Sequence, residues 1–241
     1  MLVQPQIIYQ DEDLFAVNKP SGWLSIPDRH NSEIPSVKSW LEDSGQKVFI
    51  VHRIDKDTSG LLIIARNEES HRHFNMLFEQ RNLTKIYYGL VVGSIADEEG
   101  MYDQPIEPHP VLQGRMRVGR KGKSAITHYQ VVERFRGYTW VRFQIETGRT
   151  HQIRVHLQNA GHPLVCDPMY GTLDPVLLST FKKKFKLSKE DIEERPLIAR
   201  LALHAYSLEL INIQQEVFTL TAPLSKDLDA AIKQLSKWGK K

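Results

Sequence analysis

From Thr84 to Val92 the chain alternates, and an alternation of that length imposes a period of two, which a strand satisfies and a helix does not. Ile86, Tyr88, Leu90 and Val92 fall on one face, so Lys85 and Tyr87 fall on the other. Val141, Phe143 and Ile145 make a second alternating strand, which runs into Glu146-Thr147-Gly148-Arg149. Shorter strands are expected at Ile7-Ile8-Tyr9 and at Leu14 to Asn18, on either side of the turn Gln10-Asp11-Glu12-Asp13. Val48 to Val51 and Leu61 to Ala65 read the same way. Helices fall between the strands. Val37, Trp40 and Leu41 recur at i, i+3, i+4, giving a short helix from Ser36 to Ser44 closed by Gly45. Asn67 is the N-cap of a second, with Glu68 and Glu69 in its first turn and Phe74, Leu77 and Phe78 on one face. Thr150 is expected to cap a third helix, with Ile153, His156, Leu157 and Ala160 as its stripe and Gly161 as its stop. Leu228, Ile232 and Leu235 share a face of the last. Sequential antiparallel strands with helices between them give an α+β fold.

The 241 residues suffice for one large domain or two small ones, and 41% hydrophobic with 25% charged residues is an ordinary globular balance. No run approaches the roughly 18 apolar residues of a membrane span, and Met1-Leu2-Val3-Gln4-Pro5 lacks the regions of a signal peptide. The single Cys166 excludes an internal disulfide and a cysteine-rich metal site. Cytoplasmic location is the expectation. Net charge is only +3, but its distribution is uneven. Arg115, Arg117, Arg120, Lys121, Lys123, Arg134 and Arg136 face one nearby acid, Glu133, and a second cluster is Lys182-Lys183-Lys184-Phe185-Lys186. One basic run is an ordinary solvated face. Two in one chain point to a phosphate backbone as partner.

His52-Arg53-Ile54-Asp55-Lys56-Asp57-Thr58-Ser59-Gly60-Leu61-Leu62 is the chemically suggestive stretch. An Asp beside a Thr-Ser-Gly turn is ordinarily a cap or turn residue. The active reading needs a cation that keeps the carboxylate ionised and aimed, and Arg53, Arg149 and Arg154 are all candidates. Arg154 lies beside the apolar stripe of its helix, available to a neighbour. His52 and His151 read as hydrogen-bonding orienters and His156 as a satisfied core histidine; no HExxH or CxxC pattern indicates a metal. Lys85 and Tyr87 on one strand face are either an exposed mixed face or an aromatic platform beside a cation, suited to stacking on a base next to a phosphate. Gly148-Arg149-Thr150 before a helix can hold an anion.

Four blocks in this order resemble one family, the RluA-type pseudouridine synthases. They are Val17-Asn18-Lys19-Pro20-Ser21-Gly22; His52-Arg53-Ile54-Asp55 with Thr58-Ser59-Gly60-Leu61-Leu62; Lys85-Ile86-Tyr87; and Gly148-Arg149-Thr150-His151-Gln152-Ile153-Arg154-Val155-His156-Leu157. Gly161-His162-Pro163-Leu164 with Asp167, Tyr170-Gly171 and Leu203-His204-Ala205 also fit. The resemblance spans Ile7 to Leu224. It implies a bent, mixed, mostly antiparallel sheet with flanking helices and a central RNA-binding cleft, and an isomerase that converts uridine to pseudouridine in ribosomal or transfer RNA. It makes Asp55 the catalytic aspartate and nucleophile, Arg154 the arginine that pairs with it, and Tyr87 the tyrosine that stacks on the target uracil. Arg53 would fill the gap left by a flipped nucleotide. His52, Thr58, Lys85, Arg149, His151 and Lys123 complete the implied RNA-contacting set. No cofactor and no metal are implied, since the product is an isomer; RNA is the partner of an expected monomer with no obligate protein partner.

Within that family many members carry an S4 RNA-binding domain ahead of the catalytic blocks; here the expectation is a single catalytic domain over 1–241 without one. A basic, helix-rich insertion is expected at about 172–200, contacting RNA. Ile54 stands where the family usually has Leu. A non-catalytic RNA-binding protein of the same fold, and a carboxylate-based glycoside hydrolase, are the competing classes. The hydrolase ordinarily needs a second acid, and no second carboxylate lies in a comparable motif.

Overall fold

The structure is a computed structural model that describes residues 3–187 and 192–240. Lys189 and Glu190 of the expected insertion, and the terminal Lys241, lie outside the described residues. The strands in chain order are β1 (Gln6–Gln10), β2 (Leu14–Lys19), β3 (Phe49–Ile50), β4 (Ser59–Ala65), β5 (Thr84–Val92), β6 (Glu99–Asp103), β7 (Ile106–Pro108), β8 (Met116–Val118), β9 (Ile126–Phe135), β10 (Tyr138–Ile145), β11 (Leu203–Ile211) and β12 (Val217–Thr221). The helices are α1 (Val37–Asp43), α2 (Glu68–Gln80), α3 (Gln152–Asn159) and α4 (Lys226–Trp238). The fold is α+β, with mixed, mostly antiparallel pairing. Among the described residues no helix is long and apolar enough to cross a membrane.

The chain, expected as a single domain over 1–241, is described as two compact units. The first is Met1–Tyr87 with His204–Leu224, the second Tyr88–Leu203 with Ser225–Lys241.

In the first unit β2 pairs antiparallel with β1 and β4, and β4 pairs parallel with β11 through His204↔Ser59 and Ala205↔Gly60. β4 is buried along its whole length because both of its faces are covered. Leu61, Ile63 and Ala65 pack with Leu14, Ala16 and the α2 residues Phe74 and Leu77. Leu62 and Ile64 pack on the other side with Phe15, Val17 and the α1 residues Val37 and Leu41. Both helices are capped as their sequences require: Ser36 accepts from the Ser39 N–H at 3.1 Å and Asn67 from the Ser70 N–H at 2.8 Å.

In the second unit the strand order is β5-β10-β9-β6, with β7 and β8 as a separate antiparallel pair. β5 departs from simple alternation at its end, where Val92 is 37% exposed and Val91 fully buried. The stretch Pro163–Val165 pairs with this end of β5, with Val91 bridged to Leu164, the Val165 N–H bonded to the Leu90 carbonyl and the Val92 N–H to the Pro163 carbonyl. α3 is buried from Gln152 through Leu157 rather than along one stripe. Thr150 does not cap it. The N-cap is His151, at φ 56, and the Gln152 side chain organises the turn: its Oε1 accepts from the Thr147 hydroxyl at 2.6 Å and from the Arg149 N–H at 3.0 Å.

The described residues of the insertion expected over 172–200 are not helix-rich. Among its described residues the one helical element is a 3-10 turn, Leu178–Thr180. Pro175 and Pro196 interrupt it, and its lysine run offers no apolar stripe to bury. It is fastened instead at single points: Val176 bridges Ile198, and Phe181 is buried against Tyr138 with ring centroids 5.9 Å apart.

Candidate active site

The loop between β3 and β4 is irregular, yet nearly every residue in it is held. His52 Nε2 accepts the Ile63 N–H at 3.1 Å, and its ring stacks on Phe78 with centroids 4.5 Å apart. Accepting that hydrogen bond requires the Nε2 lone pair, so the ring is neutral with its proton on Nδ1. Burial, and then the Lys85 charge, push the His52 pKa down to about 3, in agreement with that tautomer. The Ser25 hydroxyl takes both backbone groups of Ile54, donating to its carbonyl at 3.0 Å and accepting from its N–H at 3.1 Å. The Lys56 carbonyl accepts from the Gly22 N–H at 2.9 Å and from Lys19 Nζ at 2.9 Å. Lys19 is fully buried, and its ammonium also donates to the carbonyls of Trp23 at 2.7 Å and Pro20 at 3.2 Å. The Thr58 N–H closes a turn onto the Asp55 carbonyl at 3.2 Å.

Past the turn, β4 is locked to β11. The Ser59 hydroxyl meets His204 Nδ1 at 2.9 Å, and His204 Nε2 donates to the Ala222 carbonyl at 3.2 Å. Gly60 has φ +112, and a Cβ there would run into the Ala205 backbone. Only glycine fits. Asp55 is therefore a half-buried carboxylate on a backbone anchored before and after it, while Arg53 and Lys56 beside it are exposed.

Tyr87 ends the first unit's share of β5. Its hydroxyl pKa is raised by burial first and by the Asp55 carboxylate second, which keeps the phenol neutral and marks the two side chains as electrostatic neighbours. Lys85, on the same strand face, has its ammonium 6.0 Å from the Phe78 ring centroid. The unit thus sets Tyr87 within the electrostatic reach of Asp55, and His52 and Lys85 about the Phe78 ring. A carboxylate near a neutral aromatic ring can act on a group stacked on that ring.

The other expected residues belong to the second unit. Arg154 is 3% exposed, and its Nε and Nη2 donate to the two Asp167 oxygens at 2.8 Å each. Asp167 is fully buried and also accepts the N–H groups of Met169 and Tyr170, at 2.9 and 3.1 Å. The Tyr170 ring lies 5.1 Å from the guanidinium carbon. Arg154 is thus more deeply buried than its place beside the helix stripe suggested, and one of its neighbours is Asp167. His151 Nδ1 meets the Tyr170 hydroxyl at 2.8 Å, which accepts the Met116 N–H at 2.8 Å. His156 is fully buried between Thr127 Oγ1 and the Gln104 carbonyl, at 2.9 and 3.0 Å. Arg149 Nε donates to the Ser124 carbonyl at 3.0 Å; the neighbouring Lys123 is exposed. Among the described residues no group of three or more His, Cys, Asp or Glu is arranged to hold a metal.

Sequence reasoning assigned no role to Lys19, Ser25, His204 or Asp167. Lys19 carried a signal, a cation at the end of an apolar strand before Pro20; Ser25 carried none, since its hydroxyl serves backbone groups 29 positions away.

Comparison with known proteins bears on this site. A family model described as RNA pseudouridylate synthase matches residues 13–159. Ribosomal large subunit pseudouridine synthase D of Nitrosomonas europaea is 36% identical over 236 residues, covering 95% of this chain and 65% of the relative. The protein of the same name from Buchnera aphidicola subsp. Schizaphis graminum is 34% identical, covering 95% and 73%. The chain thus spans about two thirds of the length of such relatives. Among solved structures, human RNA Pseudouridylate Synthase Domain Containing 1 superposes with a TM-score of 0.72 at 26% identity, covering 98% of this chain and 88% of the other.

Proposed function

The chain belongs to the RNA pseudouridylate synthase family, and from that premise we propose that it isomerises uridine to pseudouridine in RNA, with ribosomal RNA as the substrate class. The observation that carries the reading is the 52–59 loop: a carboxylate on a backbone held at Ile54, Lys56 and Ser59, with Tyr87 as its electrostatic neighbour. The printed names of the relatives point to ribosomal RNA.

In this reading the target nucleotide leaves its stack at a cost of a few kcal/mol. The exposed Arg53 occupies the gap, and Tyr87 stacks on the extruded uracil, contributing about 1–3 kcal/mol. Asp55 is the nucleophile that acts on the nucleoside. The C1′–N1 bond breaks, the uracil turns, and a C1′–C5 bond forms; C5 loses a proton and N1 gains one. Oxidation state is unchanged, so the chemistry needs position and charge rather than a redox group. Arg154 enters as the cation that the family resemblance assigns to the catalytic carboxylate. Lys85, His52, Thr58, Arg149, His151 and Lys123 enter as the RNA-contacting set. The protein acts as a monomer in the cytoplasm without an obligate protein partner.

Product analysis tests the reading. Unmodified ribosomal RNA incubated with the protein and digested to nucleosides should contain pseudouridine. Unchanged RNA would leave a binding protein of the same fold, and free uracil would indicate a hydrolase.

A further inference from the structure

The second unit carries a basic feature that the chemistry above does not use. Lys182-Lys183-Lys184-Phe185-Lys186 is not a loose solvated run. Phe181, directly before it, is 4% exposed and packs on Tyr138. The Lys182 and Phe185 N–H groups bond to the Leu178 and Lys182 carbonyls, both at 2.9 Å, which folds the run into a turn. Its first lysine then meets the end of α4: Lys182 Nζ lies 5.3 Å from the Trp238 ring centroid, and Lys237 Nζ lies 5.1 Å from the same centroid.

Trp238 is 37% exposed, a large aromatic surface for the last turn of a helix that already buries Leu228, Ala231 and Leu235. That end of α4 is itself fixed, since the Arg136 N–H bonds to the Gly239 carbonyl at 2.7 Å and the Ser236 hydroxyl to Glu133 at 2.7 Å. Glu133 is the nearby acid, and it pairs with Lys240 at 3.7 Å. Among the described residues no ion pair joins Lys182, Lys183, Lys184, Lys186 or Lys237 to a carboxylate. Two separate segments thus converge on one half-exposed indole, bringing the Lys182 and Lys237 ammonium groups to it, with Lys183 and Lys184 exposed next in the chain.

We propose that Lys182 and Lys237, which flank Trp238, together with the exposed Lys183 and Lys184 that follow Lys182 in the chain, form a second RNA-binding surface that holds the phosphate backbone of the substrate through the lysines and an unpaired base on the indole. The inference rests on the reading of the protein as an RNA enzyme and adds where it grips RNA apart from the 52–59 loop. The chemistry that fits is specific. Phosphates match several ammonium groups and release counterions on binding, and an aromatic face beside cations suits base stacking without sequence preference.

The test uses the full chain, a ribosomal RNA fragment, and binding measured across a range of NaCl concentrations. The variant K182Q/K183Q/K184Q/K237Q should bind at least about tenfold more weakly at low salt. Its slope of log affinity against log salt should flatten by roughly 0.7–0.9 for each phosphate that the lysines no longer neutralise. W238L, with its lysines intact, should weaken binding to fragments with unpaired nucleotides and keep the wild-type salt slope. A thermal melt of each variant separates loss of the surface from loss of the fold. Wild-type affinity and slope in the folded quadruple variant would overturn the proposal, as would a selective loss of binding to phosphatidylserine vesicles with RNA binding intact. Pseudouridine formation by the wild type in the same fragment reads the underlying function separately: if it fails while the lysine-dependent slope remains, the surface stands and the enzymatic reading falls.

Discussion

The loop from His52 to Ser59 and the described part of the segment from Val176 to Ile198 are both largely irregular backbone, and the fold holds them in opposite ways. The first is fastened almost residue by residue, through Ser25 on Ile54, Lys19 and Gly22 on Lys56, Thr58 on Asp55 and His204 on Ser59. The second is fastened at intervals, by the Val176–Ile198 bridge and the buried Phe181, with exposed lysines between. The difference matches two tasks. A reacting carboxylate has to be positioned closely before substrate arrives, because misplacement is costly in rate. A phosphate-binding surface needs charge at roughly the right place, and long lysine side chains absorb the remaining error.

The contrast can be broken by substitution. Gly60→Ala should be the most damaging change, since the site combines a left-handed φ with close approach to the Ala205 backbone. A loss of about 3 kcal/mol is expected, read as a lowered denaturant midpoint. A midpoint within error of wild type would mean that the β4–β11 lock is looser than described. His52 gives a smaller, pH-dependent effect. Its pKa lies near 6.5 unfolded and at about 3 in the fold, so its contribution to stability is complete above pH 6.5 and falls away as pH drops from there toward 3. At pH 5 the loss is on the order of 2 kcal/mol. His52→Gln should lack this component, so the stability difference between wild type and variant should change with pH in that window; a constant difference would contradict it. His156, also lowered by burial, is common to both proteins and cancels. In the second segment, Lys183→Ala should move stability by no more than about 0.5 kcal/mol, and a larger shift would mean that the lysine turn is itself structural.

Much of the architecture was legible wherever an element announced itself locally. α1 and α2 begin at Ser36 and Asn67 because short polar side chains there satisfy free N–H groups one turn on. β4 was readable as an apolar run, and the alternation of β5 held except at its end, where the distant Pro163–Val165 stretch pairs with it and Val91 rather than Val92 is buried. β6 to β9, β11 and β12 were not foreseen; β6 and β9 in particular are largely exposed, polar strands that gain stability from cross-strand pairing rather than from an apolar pattern. Thr150 does not cap α3: the N-cap is His151, whose side chain makes no capping bond, and Gln152 instead ties down the preceding turn at Thr147 and Arg149. At the candidate site, Asp55, Tyr87 and Lys85 were legible from motif and strand parity. The supports Lys19, Ser25 and His204 were not, because each acts on backbone or side-chain groups brought to it by the fold. Asp167 reads in sequence as one more acid, and its grip on Arg154 exists only once α3 has formed.

The central claim is that Asp55 performs the chemistry on a loop built to hold it. Asp55→Asn keeps the size of the side chain and removes its charge. Incubated with unmodified ribosomal RNA, the variant should lose pseudouridine formation by at least about 10³-fold relative to wild type, while its thermal melt and RNA affinity stay close to wild type. Pseudouridine formed at the wild-type rate by the folded variant would contradict the account.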